Sequence, residues 1–146
     1  MRRRRLAATI TVAAAVALVL TGCAGGGSIA TKTVRGVAPG ITLSETEGFG
    51  EQPVAVWTED RATLTVITWG SSGCPGIPTA LTMPSPETLD LRFAPPTDQA
   101  CTADFAPTSH VFNTPNGVDT GDVSLDITFE GRTAADTLEV TVPVRD

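Results

Sequence analysis

Apolar and polar residues alternate strictly over three stretches of this chain. Val123, Leu125, Ile127 and Phe129 alternate with Asp122, Ser124, Asp126, Thr128 and Glu130. Leu138, Val140, Val142 and Val144 alternate with Glu139, Thr141, Pro143 and Arg145, and Leu89, Leu91 and Phe93 alternate with Thr88, Asp90 and Arg92. Successive side chains of a strand point to opposite faces, so period two gives each stretch one dry face and one wet one. That is the pattern of antiparallel strands packed on one side. Beyond residue 22 no segment sustains a 3.6-residue period, which excludes a helical bundle and an alternating β/α fold.

Four less regular stretches join these three. Pro53–Trp57 and Arg61–Trp69 flank Glu59-Asp60, which reads as a hairpin turn. Ile77–Met83 pairs with Glu87–Phe93 across Pro84-Ser85-Pro86, and Ser109–Thr114 ends at the turn signal Pro115-Asn116-Gly117. About seven short strands with regular turns predict an all-β domain, a single antiparallel β-sandwich over residues 41–146, with a small barrel as the runner-up. Pro143 predicts an edge position for the last strand, because proline donates nothing to a ladder.

The first 23 residues set the address. Arg2–Arg5 precede Leu6–Leu20, which is apolar apart from Thr9 and Thr11. As a helix that run spans about 22 Å, short of a bilayer core of about 30 Å. Leu20-Thr21-Gly22-Cys23 then resembles the lipobox of bacterial lipoproteins. The resemblance implies cleavage before Cys23 and a diacylglyceryl thioether on its sulfur, so residues 1–22 are a signal peptide and the membrane lipid is a partner. The mature protein is then held at the outer face of the cytoplasmic membrane. The polar and aromatic flanks of a twin-arginine signal are missing, so general secretion is the expected route. Residues 23–40, with Gly25-Gly26-Gly27-Ser28, read as a lipidated flexible tether spanning on the order of 20–25 Å.

Charge has to be counted after cleavage. The whole chain has 10 Lys+Arg and 16 Asp+Glu; losing four arginines leaves 6 against 16, a net −10. Such a chain repels nucleic acid and anionic headgroups, leaving the lipid alone to hold it to the membrane. One lysine against nine arginines, with much Ala, Gly, Pro, Thr and Val, is the composition of a GC-rich genome such as those of actinobacteria.

With Cys23 spent on lipid, Cys74 and Cys101 remain. In an oxidising compartment an isolated pair predicts a disulfide, and closing a loop of this size contributes about 3–4 kcal/mol on the chain-entropy account. Their wide separation, with Pro75 directly after the first, is unlike a redox-active pair. The bridge ties the loop after the second predicted strand to the loop before the fifth, near one end of the sandwich. In immunoglobulin domains the bridge instead crosses the core beside a buried tryptophan, so immunoglobulin-like topology is an analogy here.

Two blocks carry a second resemblance. Trp69-Gly70-Ser71-Ser72-Gly73-Cys74-Pro75 and Cys101-Thr102-Ala103-Asp104-Phe105-Ala106-Pro107-Thr108 are similar to blocks in a group of small secreted or lipid-anchored actinobacterial proteins of unassigned function. The resemblance covers roughly Pro53–Pro115. It implies a disulfide-stapled β domain and carries over no catalytic residue.

Candidate chemistry is sparse. Ser71 or Ser72 with His110, the sole histidine, and Asp104 as orienting group are the raw materials of a hydrolase. Cys74 stands where a Gly-x-Ser-x-Gly elbow needs its last glycine, so the small-residue run reads more simply as the turn that lets the bridge close. One histidine and two bridged cysteines cannot make a zinc site. Asn116, Asp119, Asp122 and Asp126 are oxygen ligands of the kind calcium takes, but EF-hand spacing is absent and turn chemistry accounts for them. Neither a metal nor another cofactor is expected. Trp57 and Trp69 are core packing or, if exposed, a binding platform. The reading that follows is a non-enzymatic binding or interaction module of the cell envelope. Its contact patch is Trp69, Ser71, Ser72, Thr102 and Asp104, and its partner is an unknown envelope protein or ligand rather than nucleic acid. The alternatives are a small envelope hydrolase using Ser71 or Ser72 with His110, and a purely structural envelope component.

Overall fold

A computed structural model describes residues 27–44, 52–58, 60–97, 100–131 and the backbone of 138–142. The leader, Cys23, Glu59 and Pro143 lie outside the described residues. Eight strands form two four-stranded sheets: β1 (Lys32–Arg35), β2 (Val54–Trp57), β3 (Thr63–Gly70), β4 (Ile77–Ser85), β5 (Thr88–Ala94), β6 (Ala106–Asn113), β7 (Val123–Phe129) and β8 (Leu138–Val142). The first sheet runs β1-β6-β3-β2 and the second β4-β5-β7-β8. The described residues contain no helix, and the fold is the all-β sandwich that the alternation predicts.

Two of the three alternating stretches show the one dry face that the pattern predicts. Leu89, Leu91 and Phe93 of β5 and Val123, Leu125 and Ile127 of β7 are buried and meet Ala55, Trp57, Leu64, Val66 and Phe112 of the first sheet. β8 is an edge strand. One pairing departs from the antiparallel expectation: β5 and β7 run parallel, with Leu89 opposite Leu125 and Leu91 opposite Ile127. The chain leaves the second sheet after β5, passes through β6 in the first, and re-enters beside β5 in the same direction. The hairpin β4–β5 turns at Pro86-Glu87 rather than Pro84-Ser85-Pro86, with Ser85 paired to Thr88. Pro78 and Pro84 lie in β4, an edge strand, where a missing N–H is tolerated.

β2 and β3 do not alternate because both faces of the first sheet are covered. Val54, Val56 and Ile67 point away from the inter-sheet core and pack with Val37, Ile41, Leu43 and Trp69. Residues 36–43 are therefore a strap across the outer face of this sheet. Ser109 of β6 fixes it: its hydroxyl accepts from the Ala38 N–H at 2.9 Å and donates to the Gly36 carbonyl at 2.8 Å. Gly36 turns the chain out of β1 at φ +91°, a conformation that side chains disfavour.

These contacts move the domain boundary from Ile41 to the residues before β1. The Ile29 N–H reaches the Pro78 carbonyl in the second sheet, and the Thr31 N–H reaches the Val111 carbonyl in the first. Much of the expected tether is thus folded structure. β1 escapes a periodicity reading because only Val34 of its four residues is even partly buried, so main-chain pairing alone places it.

Ser109→Ala leaves the Ala38 N–H buried and unpaired. It is expected to lower stability by about 1–3 kcal/mol in urea unfolding and to speed limited proteolysis within residues 36–43. Unchanged cleavage there would show that Ser109 does not hold the strap.

Candidate functional site

The stapled end of the sandwich is built from two loops. Cys74 and Cys101 are bridged, with Cα atoms 5.2 Å apart. The Thr102 hydroxyl sits at the centre of a clamp. It accepts from the Gly73 N–H at 3.0 Å, meets the Ser71 hydroxyl at 2.9 Å and the Ser72 hydroxyl at 3.3 Å, and donates to Asp104. The Asp104 carboxylate also accepts from the Ser72 N–H at 3.0 Å. Hydrogen bonds from Ser72 and then Thr102 hold the Asp104 carboxyl down at about 2. Gly73 suits this close approach, since a Cβ there would lie 3.2 Å from the Thr102 side chain, which would have to give by a few tenths of an ångström.

Four members of the sequence-derived patch, Ser71, Ser72, Thr102 and Asp104, are therefore brought together, but chiefly as partners of one another. Trp69 belongs elsewhere: it packs half-buried against the Val54, Val56 and Ile67 cluster beneath the strap. Trp57 lies in the inter-sheet core, with the Arg61 guanidinium 5.1 Å from its ring centroid and Arg61 Nη2 bonded to the Gly121 carbonyl at 3.0 Å.

His110 points into the core, 1% exposed, with its ring edge-on to Phe93 at 5.1 Å. Its Nε2 lies 3.4 Å from the Thr68 hydroxyl, and its Nδ1 has no partner. The hydroxyls of Ser71 and Ser72 bond to Thr102, so neither makes the serine–histidine contact that triad chemistry requires. Burial lowers the His110 pKa to about 4. Asp119 accepts from the Gly121 N–H at 3.1 Å, a turn closure. Among the described residues no three His, Cys, Asp or Glu side chains converge on one point.

A concave site lies on the other face of the first sheet. An open groove of about 940 Å³ runs between the strap and the strands, with Val56, Thr65 and Val111 among the sheet residues and Ile41 from the strap. Lys32 and Asp60 are its charged residues. Asp60 is held below the usual carboxylate range by the Ala62 N–H and then the Thr58 hydroxyl, so it stays ionised.

No protein-family model, curated protein or solved structure matches this chain. What the molecule offers is its own geometry.

The groove is not legible in the sequence, because residues 36–40 of its strap fall in the expected tether, residues 41–43 in the expected domain, and nothing in 36–43 signals a wall. Phe105 is a second feature that the sequence does not reveal. It is 66% exposed, directly after the clamp residue Asp104, and a lone aromatic in a loop carries no sequence signal of exposure.

Two tests follow from these arrangements. Thr102→Val removes the shared hydroxyl at nearly constant volume and is expected to cost about 1–2 kcal/mol in urea unfolding while the disulfide still forms. Wild-type stability would mean the clamp adds nothing to the bridge. His110 has a folded-state pKa below its ordinary 6.5, so the unfolded chain takes up the proton first as pH falls. Stability should therefore drop between pH 6.5 and 4, by at most about 3 kcal/mol, and His110→Gln should flatten that part of the curve. A wild-type slope in the variant would assign the loss to other groups.

Proposed function

We propose that this chain is a lipid-anchored, non-enzymatic binding module of the cell envelope, whose ligand or partner enters the groove between the strap and the first sheet. The groove carries the reading. It is concave, it joins an apolar floor to threonine hydroxyls, and it has one cation and one carboxylate among its residues. Binding sites combine these elements: apolar area for affinity and a few fixed polar groups for orientation.

The lipobox at Leu20–Cys23 supports the location, the outer face of the cytoplasmic membrane, with acylated Cys23 as the attachment. The resemblance of the two cysteine blocks to small secreted actinobacterial proteins is in keeping with it. The burial of the sole histidine, with Thr68 as its hydroxyl neighbour, supports a binding role over a serine hydrolase. The stapled patch of Ser71, Ser72, Thr102 and Asp104 serves in this reading as scaffolding, because its polar groups already satisfy one another. Trp69 acts there as a floor for the strap.

The test places a photoreactive residue at position 34, which lines the groove, and a control at the exposed Thr82 of β4. On intact cells an adduct is expected at 34 and not at 82, and Val111→Trp, which fills the groove, should remove at least nine-tenths of it (about tenfold, near 1.4 kcal/mol). An adduct that survives Val111→Trp but is lost in Ser72→Ala with Asp104→Ala would move the site to the stapled loops. No adduct at 34 would overturn the groove.

A further inference from the structure

The net charge of the chain conceals a division along its length. Between Cys23 and Ser44 there are two basic residues, Lys32 and Arg35, and no acidic one; the first carboxylate after the lipobox is Glu45. Residues 45–146 hold the other four basic groups of the mature chain and all 16 acidic ones. An average taken over the whole chain therefore says nothing about the part next to the anchor.

The fold fixes where that basic part stands. Lys32 and Arg35 are the ends of β1, an edge strand, and both are exposed. They lie on opposite faces of the strand, three residues apart, and flank its free edge. Three residues before Lys32 is Ile29, one of two large apolar side chains exposed among the described residues, at 41%.

The leash to the lipid is short. Ile29 is tied to the second sheet through Pro78, and it stands six residues after Cys23 in the sequence. Six residues reach about 20 Å at full extension, whatever path they take. A domain held that closely must present one side to the headgroups, and the side nearest the anchor carries Ile29, Lys32 and Arg35.

We propose that the β1 edge is a membrane-docking surface, with Ile29 entering the interfacial layer and Lys32 and Arg35 pairing with anionic headgroups. The inference rests on lipidation of Cys23. Each basic side chain near an anionic leaflet strengthens association by about fivefold, an effect that salt screens.

Lys32 is the only lysine in the chain, which makes it its own reporter. The lipidated full-length product, purified from membranes, is reconstituted into vesicles of phosphatidylcholine alone or with 30% phosphatidylglycerol. The vesicles are treated with a water-soluble amine-reactive reagent, and modification at Lys32 is read by peptide mass. Labelling is expected to be about fivefold slower on the anionic vesicles, to recover in 0.5 M salt, and to recover also in Arg35→Glu. Equal rates on both vesicles, with a diacylglyceryl group confirmed on Cys23, would overturn the docking alone. A chain without lipid on Cys23 would overturn both the docking and the anchored reading. Protection on intact cells that is absent from anionic vesicles would mean that a protein covers Lys32, at the edge or in the groove that it also lines, and would overturn the lipid assignment.

Discussion

Burial of the first sheet on both faces is the constraint that the rest of this structure answers to. One face is covered by the second sheet in the ordinary way of a sandwich. The other exposes Val54, Val56, Ile67 and Trp69 unless something lies across it, and the strap of residues 36–43 does so. Its apolar residues Val37, Ile41 and Leu43 supply area. Direction comes from the Ser109 hydroxyl, which bonds the strap main chain as donor and acceptor. The groove exists because the strap covers the sheet incompletely, so the best candidate for a binding site is a by-product of how the core is closed.

How legible this was differs from strand to strand for physical reasons. β5, β7 and β8 are plain in the sequence because apolar and polar residues alternate along each, a period-two record. β2 leaves none: Val54, Ala55, Val56 and Trp57 are all buried, and a short apolar run fits a strand or a buried helical turn equally well. β1 is the opposite case, polar along almost its whole length. The parallel β5–β7 pair was unreadable because register and direction depend on the path through β6, not on local pattern. The disulfide was legible from cysteine arithmetic. The polar patch was half legible: proximity to the bridge brings Ser71, Ser72, Thr102 and Asp104 together, but sequence does not tell that they consume each other's hydrogen bonds.

Polar groups in the interior are placed with the same economy. Thr68, Thr108 and His110 share the inner face of β3 and β6 at the level of Phe93. A neutral imidazole there fills an aromatic's place and keeps one hydroxyl contact, at the cost of acid sensitivity. The exposed Asp104 sits at the other extreme, ionised through the physiological range because it accepts hydrogen bonds in the charged form.

The cysteines enclose a complete unit. The chain between Cys74 and Cys101, 27 positions apart, contains β4, the turn at Pro86-Glu87, and β5. Because β4 and β5 are adjacent in sequence, that hairpin can close as soon as Cys101 has been delivered, whatever machinery delivers it, with nothing yet required from β6, β7 or β8. Once oxidised, the ring is a preformed two-stranded template. β5 has one edge occupied by β4 and the other vacant until β7 arrives beside it. The parallel pairing, whose partners lie 36 positions apart (Thr88 opposite Ser124), is thereby an addition to a surface already in place rather than a search between two loose segments.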